Sequence, residues 1–236
     1  MVFPVYKRVL VKLSGEAMQA PDGSILNFDL LPQIADALIS CVNSGVQVAV
    51  VVGAGNIWRG LKQGKNMDRC RADHMGMLAT MINAIAIKDA IINRGGKAEV
   101  MTPIHMTEFA EDYVIDKAIE NLENGKIIVL GCGTGNPYFS TDTGAVLRAA
   151  EIKADIVLMA KHVDGIYDKD PAVHSDAKKY DVVSYDEILD KKLAAYDLTA
   201  TAFCAANKLK TYAFELKDPM NIHRIVMGEN IGTITY

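Results

Sequence analysis

The sequence predicts an α/β protein with a largely parallel central sheet. Apolar segments of strand length recur along the chain, rich in Val, Ile and Leu and without the polar alternation of a half-exposed strand. Longer segments with helical periodicity separate them. Strands buried on both faces and joined by helices are typical of parallel sheets. The predicted strands cover residues 9–13, 47–52, 98–101, 127–130, 156–159 and 211–215.

The helices are predicted from the spacing of apolar residues and from the glycine or polar turns that end each pattern. Asp73 is expected to cap the second helix, and Thr141 or Asp142 the fourth. Ser184 and Glu187 form a capping box for a short helix. No linker or repeat divides the sequence, which favours one domain. The helices are expected at residues 30–44, 73–93, 114–123, 143–153, 184–187, 199–208 and 220–227.

Composition narrows the class of protein. With 236 residues, 50% of them hydrophobic, the chain can bury a large core. A formal net charge of -4 provides no basic field for nucleic acid or anionic lipid. Four cysteines without a C-x-x-C pair favour a reduced compartment, and no stretch is expected to approach the roughly 18 apolar residues of a spanning helix. We expect a soluble, cytoplasmic protein without nucleic-acid or membrane partners.

Two predicted strands end in glycine turns that can expose backbone amides. KLSGEAM ends the first strand and GAGNIWRG ends the second. Amides of such turns can bind an anion together with the charges of Lys12 and Arg59. A solvated charge at the strand edge is the alternative for Lys12. Residues 60–71 are expected to form a loop beside a site, with an ordinary surface loop as the alternative.

The clearest binding loop is GCGTGNPYFSTD, which follows the buried strand at residues 127–130. Gly131, Gly133 and Gly135 are expected to turn the backbone with positive φ. Ligands of open α/β sheets bind at the carboxyl ends of strands. This loop is therefore the first candidate for a ligand site.

Two further segments carry polar groups that also have simpler explanations. In DHMGMLAT, Asp73 either accepts hydrogen bonds from ligand hydroxyls or only caps its helix, and the methionines are expected to pack. In LMAKHVDGIYDKDP, Lys161, Tyr167 and Asp170 could hold a nucleotide, or Tyr167 could only cover the sheet end. Residues 164–179 are predicted to form turns.

Several familiar templates are excluded by the sequence. It has no Walker A loop, no protein-kinase H-R-D or D-F-G set, and Trp58 stands where a dinucleotide fingerprint needs its third glycine. The five histidines lack the H-E-x-x-H spacing of a zinc site, and no G-x-S-x-G elbow occurs. Phosphate chemistry without these motifs remains open.

Taken together and in order, KLSGEAM, GAGNIWRG, DHMGMLAT, GTGNPYFSTD and VDGIYDKDP resemble the bacterial uridylate (UMP) kinases of the amino acid kinase family. The resemblance spans nearly the whole chain. It implies a three-layer α/β/α sandwich whose amino-terminal half binds UMP and whose carboxy-terminal half binds ATP. The implied reaction transfers the ATP γ-phosphoryl group to UMP in pyrimidine nucleotide synthesis.

The resemblance also implies partners and alternatives. Mg²⁺ would accompany ATP, and the chain would form a homohexamer with GTP as activator and UTP as inhibitor. The alternative is a non-catalytic nucleotide- or oxyanion-binding protein on the same fold. No residue is implied as a direct metal ligand.

Site roles follow from the resemblance, motif by motif. The implied catalytic residues are Lys12, Arg59 and Asp142. The implied ATP-binding residues are Lys12, Leu13, Ser14, Gly15, Gly55, Arg59, His162, Tyr167 and Asp170. The implied UMP-binding residues are Ala54, Asp73, Thr134, Gly135, Asn136, Pro137, Tyr138, Phe139, Ser140 and Thr141.

Two positions depart from the family pattern. Ala54 replaces the middle glycine of a frequent Gly-Gly-Gly-Asn turn, so this residue is expected to avoid glycine-only torsions. Many relatives have a threonine and a lysine before Val-Asp-Gly, whereas this chain has Lys161 and His162. The adenine contacts at these two positions remain open.

Overall fold

The computed structural model describes residues 3–59, 63–193 and 195–236. Residues 60–62, the start of the predicted loop at 60–71, lie outside this range. The end of that segment is not a loop, because Arg69 begins a long helix.

A mainly parallel sheet runs through the middle of the described chain. Nine strands form it in the order β4-β3-β5-β2-β1-β6-β10-β11-β9, and its strand pairs are parallel except for β10 with β11. The α/β prediction is therefore confirmed. The strands are β1 (Arg8–Leu13), β2 (Gln47–Val52), β3 (Ala98–Thr102), β4 (Glu111–Asp112), β5 (Ile127–Leu130), β6 (Ile156–Lys161), β9 (Val182–Val183), β10 (Thr211–Glu215) and β11 (Thr233–Thr235), with β7 (Ile166–Tyr167) and β8 (Lys179–Tyr180) as a separate antiparallel pair.

Helices cover both faces of the sheet and make it the middle of three layers. One core contains alternate strand residues such as Val9 and Val11 with side chains from α1, α2 and α7. The other contains Leu10 and Val51 with side chains from α3, α4, α5 and α6. The helices are α1 (Leu30–Asn43), α2 (Arg69–Asn93), α3 (Ile115–Glu123), α4 (Thr141–Glu151), α5 (Tyr185–Asp190), α6 (Leu198–Asn207) and α7 (Asn221–Val226).

Two predicted helix starts are wrong. Helix α2 begins four residues before Asp73, and its cap is Asp68, whose carboxylate accepts from the amide of Arg71. Helix α4 begins at Thr141, and Ser140 caps it by accepting from the amide of Thr143. Several residues near each start can cap a helix, so sequence alone could not choose among them. The Ser184 cap of α5 is confirmed.

Helix α2 meets the length and composition of a membrane-crossing helix. The sequence expectation that no stretch approaches a spanning helix does not hold for this helix by length and composition, because Lys88 and Asp89 are too few to offset its apolar residues. A core helix of a folded domain passes the same test. Met81, Ala84 and Ile87 of α2 are buried in the core beneath the sheet.

Candidate active site

The candidate site lies at the carboxyl ends of the parallel strands, which together form one border of the sheet. Strand β1 sits between β2 and β6, with β2 to β5 on one side of it and β6, β10, β11 and β9 on the other. Loops leaving the carboxyl ends of such strands diverge and open a crevice for a ligand. The loops after β1, β2, β5 and β6 carry most of the predicted site residues.

The turns after β1 and β2 are packed together without space for a side chain. A Cβ atom on Gly15 would lie 2.6 Å from the Gly53 oxygen and 2.6 Å from the Gly55 nitrogen. Buried Asn83 of α2 donates to the Gly53 oxygen at 2.7 Å and exchanges hydrogen bonds with Asn56. Both glycine turns are therefore held rigidly against each other at the sheet edge.

Lys12, Asp142 and Lys161 form a charge cluster beside these turns. The Lys12 ammonium lies 2.8 Å from Oδ1 of Asp142, and the Lys161 ammonium lies 3.8 Å from Oδ2. Burial raises the pKa of Asp142, but the two lysines outweigh burial and hold that pKa below its usual value. The carboxylate is therefore ionised at neutral pH.

Arg59 is turned toward the first glycine motif. Its guanidinium pairs with Glu16, and its Nε donates to the Gly55 oxygen at 3.2 Å. His162 faces the same carboxylate, with 3.6 Å between Nε2 and the Glu16 oxygen. Arg59 also lines an open cleft of about 520 Å³ together with Arg69, Asp73 and Tyr138. The guanidinium is thus placed at the cleft mouth.

A smaller cavity of about 210 Å³ lies between α2 and the loop after β5. Its lining contains seven of the residues expected to bind the acceptor: Ala54, Asp73, Thr134, Asn136, Phe139, Ser140 and Thr141. Gly135, Pro137 and Tyr138 are not part of this wall, and Tyr138 lines the adjoining cleft instead.

Sequence reasoning missed several residues of this cavity. Trp58, Gly76, Met77, Thr80 and Cys132 all line it, although the methionines of α2 were expected only to pack. A signal was present, because residues 73, 76, 77 and 80 share one helical face by their spacing. Because Asp73 was already a candidate ligand-binding residue, the other residues on its helical face could have been expected to line the same site.

The loop after β5 bends differently from the sequence expectation. Gly133 and Gly135 have positive φ as predicted, but Gly131 does not, and Cys132 adopts φ 58° instead. Gly131 is required for a different reason, since a Cβ there would lie 2.1 Å from the sulfur of Met81. The Cys132 amide donates to Thr80 Oγ1 at 2.8 Å, which ties the bend to α2.

Asp73 joins α2 to the same loop. Its Oδ2 accepts from Nε of Arg69 at 2.8 Å and from the backbone amide of Tyr138 at 2.8 Å. The Arg69 guanidinium lies 5.1 Å from the centre of the Tyr138 ring. The carboxylate does not cap a helix and instead sets the position of the loop across the cavity.

A third cavity, of about 410 Å³, opens on the other side of Lys161. Tyr167 and Asp170 line it as predicted for a nucleotide site, whereas His162 is not among its lining residues. The Tyr167 hydroxyl donates to Asp164 at 2.7 Å, and Asp170 accepts from the amide of Ala172 at 2.9 Å. These bonds shape the turn that covers the cavity.

Asp197 connects the starts of α4 and α6. Its carboxylate caps α6 by accepting from the amide of Ala200, and it also accepts from the hydroxyls of Ser140 and Thr143. Three donors from the starts of two helices therefore compensate this charge. The N-terminus of α4, which carries Asp142, is fixed by this contact.

Arg148 supports the binding loop from behind. Its Nη2 donates to the Gly133 and Thr134 oxygens at 3.3 and 3.4 Å, and its Nη1 pairs with Glu151 at 2.7 Å. The guanidinium also lies 4.2 Å from the centre of the Tyr113 ring. A buried arginine thus anchors a loop that contains three glycines.

Glycine turns, an ammonium paired with a carboxylate and three cavities lie together at the carboxyl ends of the strands of an α/β protein. The amino acid kinase family model matches residues 7–214. The chain therefore belongs to the amino acid kinase family.

Solved structures agree over nearly the full length. A UMP kinase from Bacillus anthracis is 35% identical with a TM-score of 0.93, covering 98% of this chain and 96% of that one. A UMP kinase from Ureaplasma parvum is 32% identical with a TM-score of 0.92, covering 97% and 98%. A uridylate kinase from Archaeoglobus fulgidus is 27% identical with a TM-score of 0.73, covering 97% and 99%.

Replacing Arg148 should loosen the loop that it holds. Arg148→Met leaves two loop carbonyls and Glu151 without their cation, and we expect a loss of about 3 kcal/mol in the free energy of unfolding. Amide hydrogen exchange in residues 133–136 should become faster. Lys117→Met, at an exposed position on α3, is the control. Unchanged exchange in the loop would show that Arg148 does not hold it.

Proposed function

We propose that this chain is a UMP kinase, which transfers the γ-phosphoryl group of ATP to UMP and releases ADP and UDP. The observation that carries the proposal is the Lys12–Asp142 pair, which lies beside the glycine turns at the edge where the cavities open. The full-length similarity to solved UMP kinases supports the choice of acceptor.

UMP occupies the cavity between α2 and the loop after β5 in this proposal. Thr134 and Asn136 offer hydrogen-bonding groups for a pyrimidine, and Phe139 offers an apolar face. Asp73 receives the ribose hydroxyls through Oδ1, since both of its observed bonds use Oδ2. Arg148 acts indirectly by keeping the loop in place.

ATP occupies the carboxy-terminal half. Its adenosine enters the cavity lined by Tyr167 and Asp170, and its phosphates extend past Lys161 toward Lys12 and the glycine turns. Ser14, Gly15 and Gly55 then face the phosphates with backbone groups. The two halves of one continuous domain bind the acceptor and the donor.

The proposed transfer needs no general base. The second pKa of a phosphomonoester is about 6, so UMP is mostly dianionic at neutral pH and already nucleophilic. The difficulty is the repulsion between two anions that must approach in line. Lys12, Arg59 and the turn amides reduce this repulsion by electrostatic stabilisation and by orienting the reactants.

Mg²⁺ is the proposed companion of ATP. In the described parts of the chain, no three His, Cys, Asp or Glu side chains are grouped as a metal site. Asp142 is already compensated by two ammonium groups. This donor set fits a cation held mainly by phosphate oxygens and water, as Mg²⁺ prefers. When bound, Mg²⁺ neutralises charge on the transferring phosphate.

Assembly, regulation and location complete the proposal. We propose a cytoplasmic homohexamer that GTP activates and UTP inhibits. The four cysteines are free thiols, in keeping with a reducing compartment. Effector responses are tested by adding GTP or UTP to the ADP-release assay described below. The proposed activation fails if GTP does not raise the rate of ADP release, and the proposed inhibition fails if UTP does not lower it.

The reaction is tested by coupled ADP release with Mg-ATP. We expect turnover with UMP and much less with CMP, dUMP or amino acids, because the site is proposed to recognise the uracil base and both ribose hydroxyls. ATP binding without ADP release for any acceptor would instead favour the non-catalytic alternative. Release with an amino acid but not UMP would reject the proposed acceptor.

Lys12 is expected to act on the rate and not on acceptor binding. Lys12→Ala removes the cation from the transferring phosphate, and we expect kcat to fall about 10²- to 10³-fold. The affinity for UMP should change little. Lys97→Ala is the control, since this exposed lysine precedes β3 at the opposite edge of the sheet. Wild-type turnover in Lys12→Ala would remove Lys12 from the mechanism.

Asp73 is expected to contribute to the binding of UMP and not to that of ATP. Asp73→Asn keeps the shape but weakens acceptance from ribose hydroxyls, so the Kd for UMP should rise about tenfold while that for ATP stays within about twofold. Isothermal titration calorimetry measures both. Asp89→Asn, exposed on the same helix, is the control. Equal changes for both nucleotides would contradict a ribose contact.

An exposed apolar stripe on α2 supports the proposed assembly. Met75, Leu78, Ile82 and Ile85 are 39%, 57%, 45% and 42% exposed and follow helical spacing along one face. A second copy of this chain is the proposed occupant. Ile82→Glu should yield smaller species by light scattering, whereas Val173→Glu, at an exposed apolar position in a distant turn, should not. A wild-type monomer would reject the proposal.

A further inference from the structure

Lys161 carries a partly buried ammonium to which the proposed mechanism gives no role. It is the last residue of β6, on the same face as Val157 and Met159, and its side chain is 24% exposed. Its Nζ donates to the Ala195 oxygen at 2.7 Å and lies 5.0 Å from the centre of the Tyr196 ring. The ammonium is thus held in one place at the end of the sheet.

The position matters because of the charges around it. Each oxygen of Asp142 faces one ammonium, with Lys12 on Oδ1 and Lys161 on Oδ2. Burial and the neighbouring Lys12 lower the pKa of Lys161, and Asp142 and Asp197 oppose this shift by favouring its charged form. The formal charges of these four side chains, two lysines and two aspartates, sum to zero. Without Lys161 they would sum to minus one, at the edge proposed to receive a triphosphate.

We propose that Lys161 is a positioning residue that shares the charge of Asp142 and so leaves Lys12 free to neutralise the transferring phosphate; this rests on the proposed function. Lys12 has three N–H donors, and a donor that is hydrogen-bonded to Asp142 cannot also bind a ligand. With Lys161 on the second oxygen, the carboxylate stays compensated when Lys12 turns to the phosphate. Without Lys161, Lys12 would be the main cation compensating Asp142, and moving Lys12 to the phosphate would leave that carboxylate uncompensated.

The protonation of Asp142 reports this arrangement directly. It is faced by Lys12 from β1, Lys161 from β6, and Tyr196, Asp197 and Cys204 from the segment that leads into and forms α6. Glu215 of β10 lies in register with Lys161. Burial raises the pKa of Asp142 and both lysines lower it, so losing Lys161 must raise this pKa.

Lys161→Met and Lys161→Arg separate the charge from the packing. Lys161→Met keeps an unbranched side chain one atom shorter than lysine and removes its charge. We expect kcat with UMP to fall at least about tenfold, the KM for UMP to stay within about twofold, and ATP to bind at least about threefold more weakly by calorimetry. Carboxyl-carbon NMR should show a raised pKa for Asp142. Lys161→Arg should restore most of each property, and Lys97→Met should resemble the wild type.

The outcomes distinguish this inference from the proposed function. A wild-type protein that is inactive with UMP rejects the proposed function, while ATP affinity and the Asp142 pKa still decide the role of Lys161. Wild-type kcat and ATP affinity in Lys161→Met would overturn the inference. So would a loss of activity that Lys161→Arg does not rescue, with the Asp142 pKa unmoved, because that pattern is expected for packing alone.

Discussion

The buried carboxylate of Asp142 links the elements that make the candidate site. It forms an ion pair with the ammonium of Lys12 from β1, and it faces the ammonium of Lys161 from β6. A charge removed from water is tolerated only where partners compensate it. The starting point of α4 and the ends of two strands are therefore fixed relative to one another by electrostatics as well as by packing.

Close backbone packing completes the same edge. The turn at Gly15 fits against Gly53 and Gly55 because neither side carries a Cβ atom at the contact. Asn83 and Asn56 satisfy each other and the Gly53 oxygen in a region without access to water. Turns that are already fixed in this way lose less conformational entropy when a ligand binds beside them.

Much of the fold was predictable because burial on both faces leaves a simple signature. The strands Gln47–Val52, Ile127–Leu130 and Thr211–Glu215 have the predicted bounds. The short strands β4, β7, β8 and β9 were not predicted, because two residues carry no periodic pattern. Helix starts were predicted less well, since neighbouring polar residues compete to cap a helix.

The sequence by itself determined the α/β class, the order of the motifs and the chemical types of residue proposed to bind a nucleotide, because these depend on local patterns. Tertiary structure alone decided that Asp73 reaches the amide of Tyr138 and that Arg148 supports the loop from below. It also placed Lys161 beside Asp142. These partners are separated by up to 65 residues in the chain, and only the crossing of helices over a parallel sheet brings them within bonding distance.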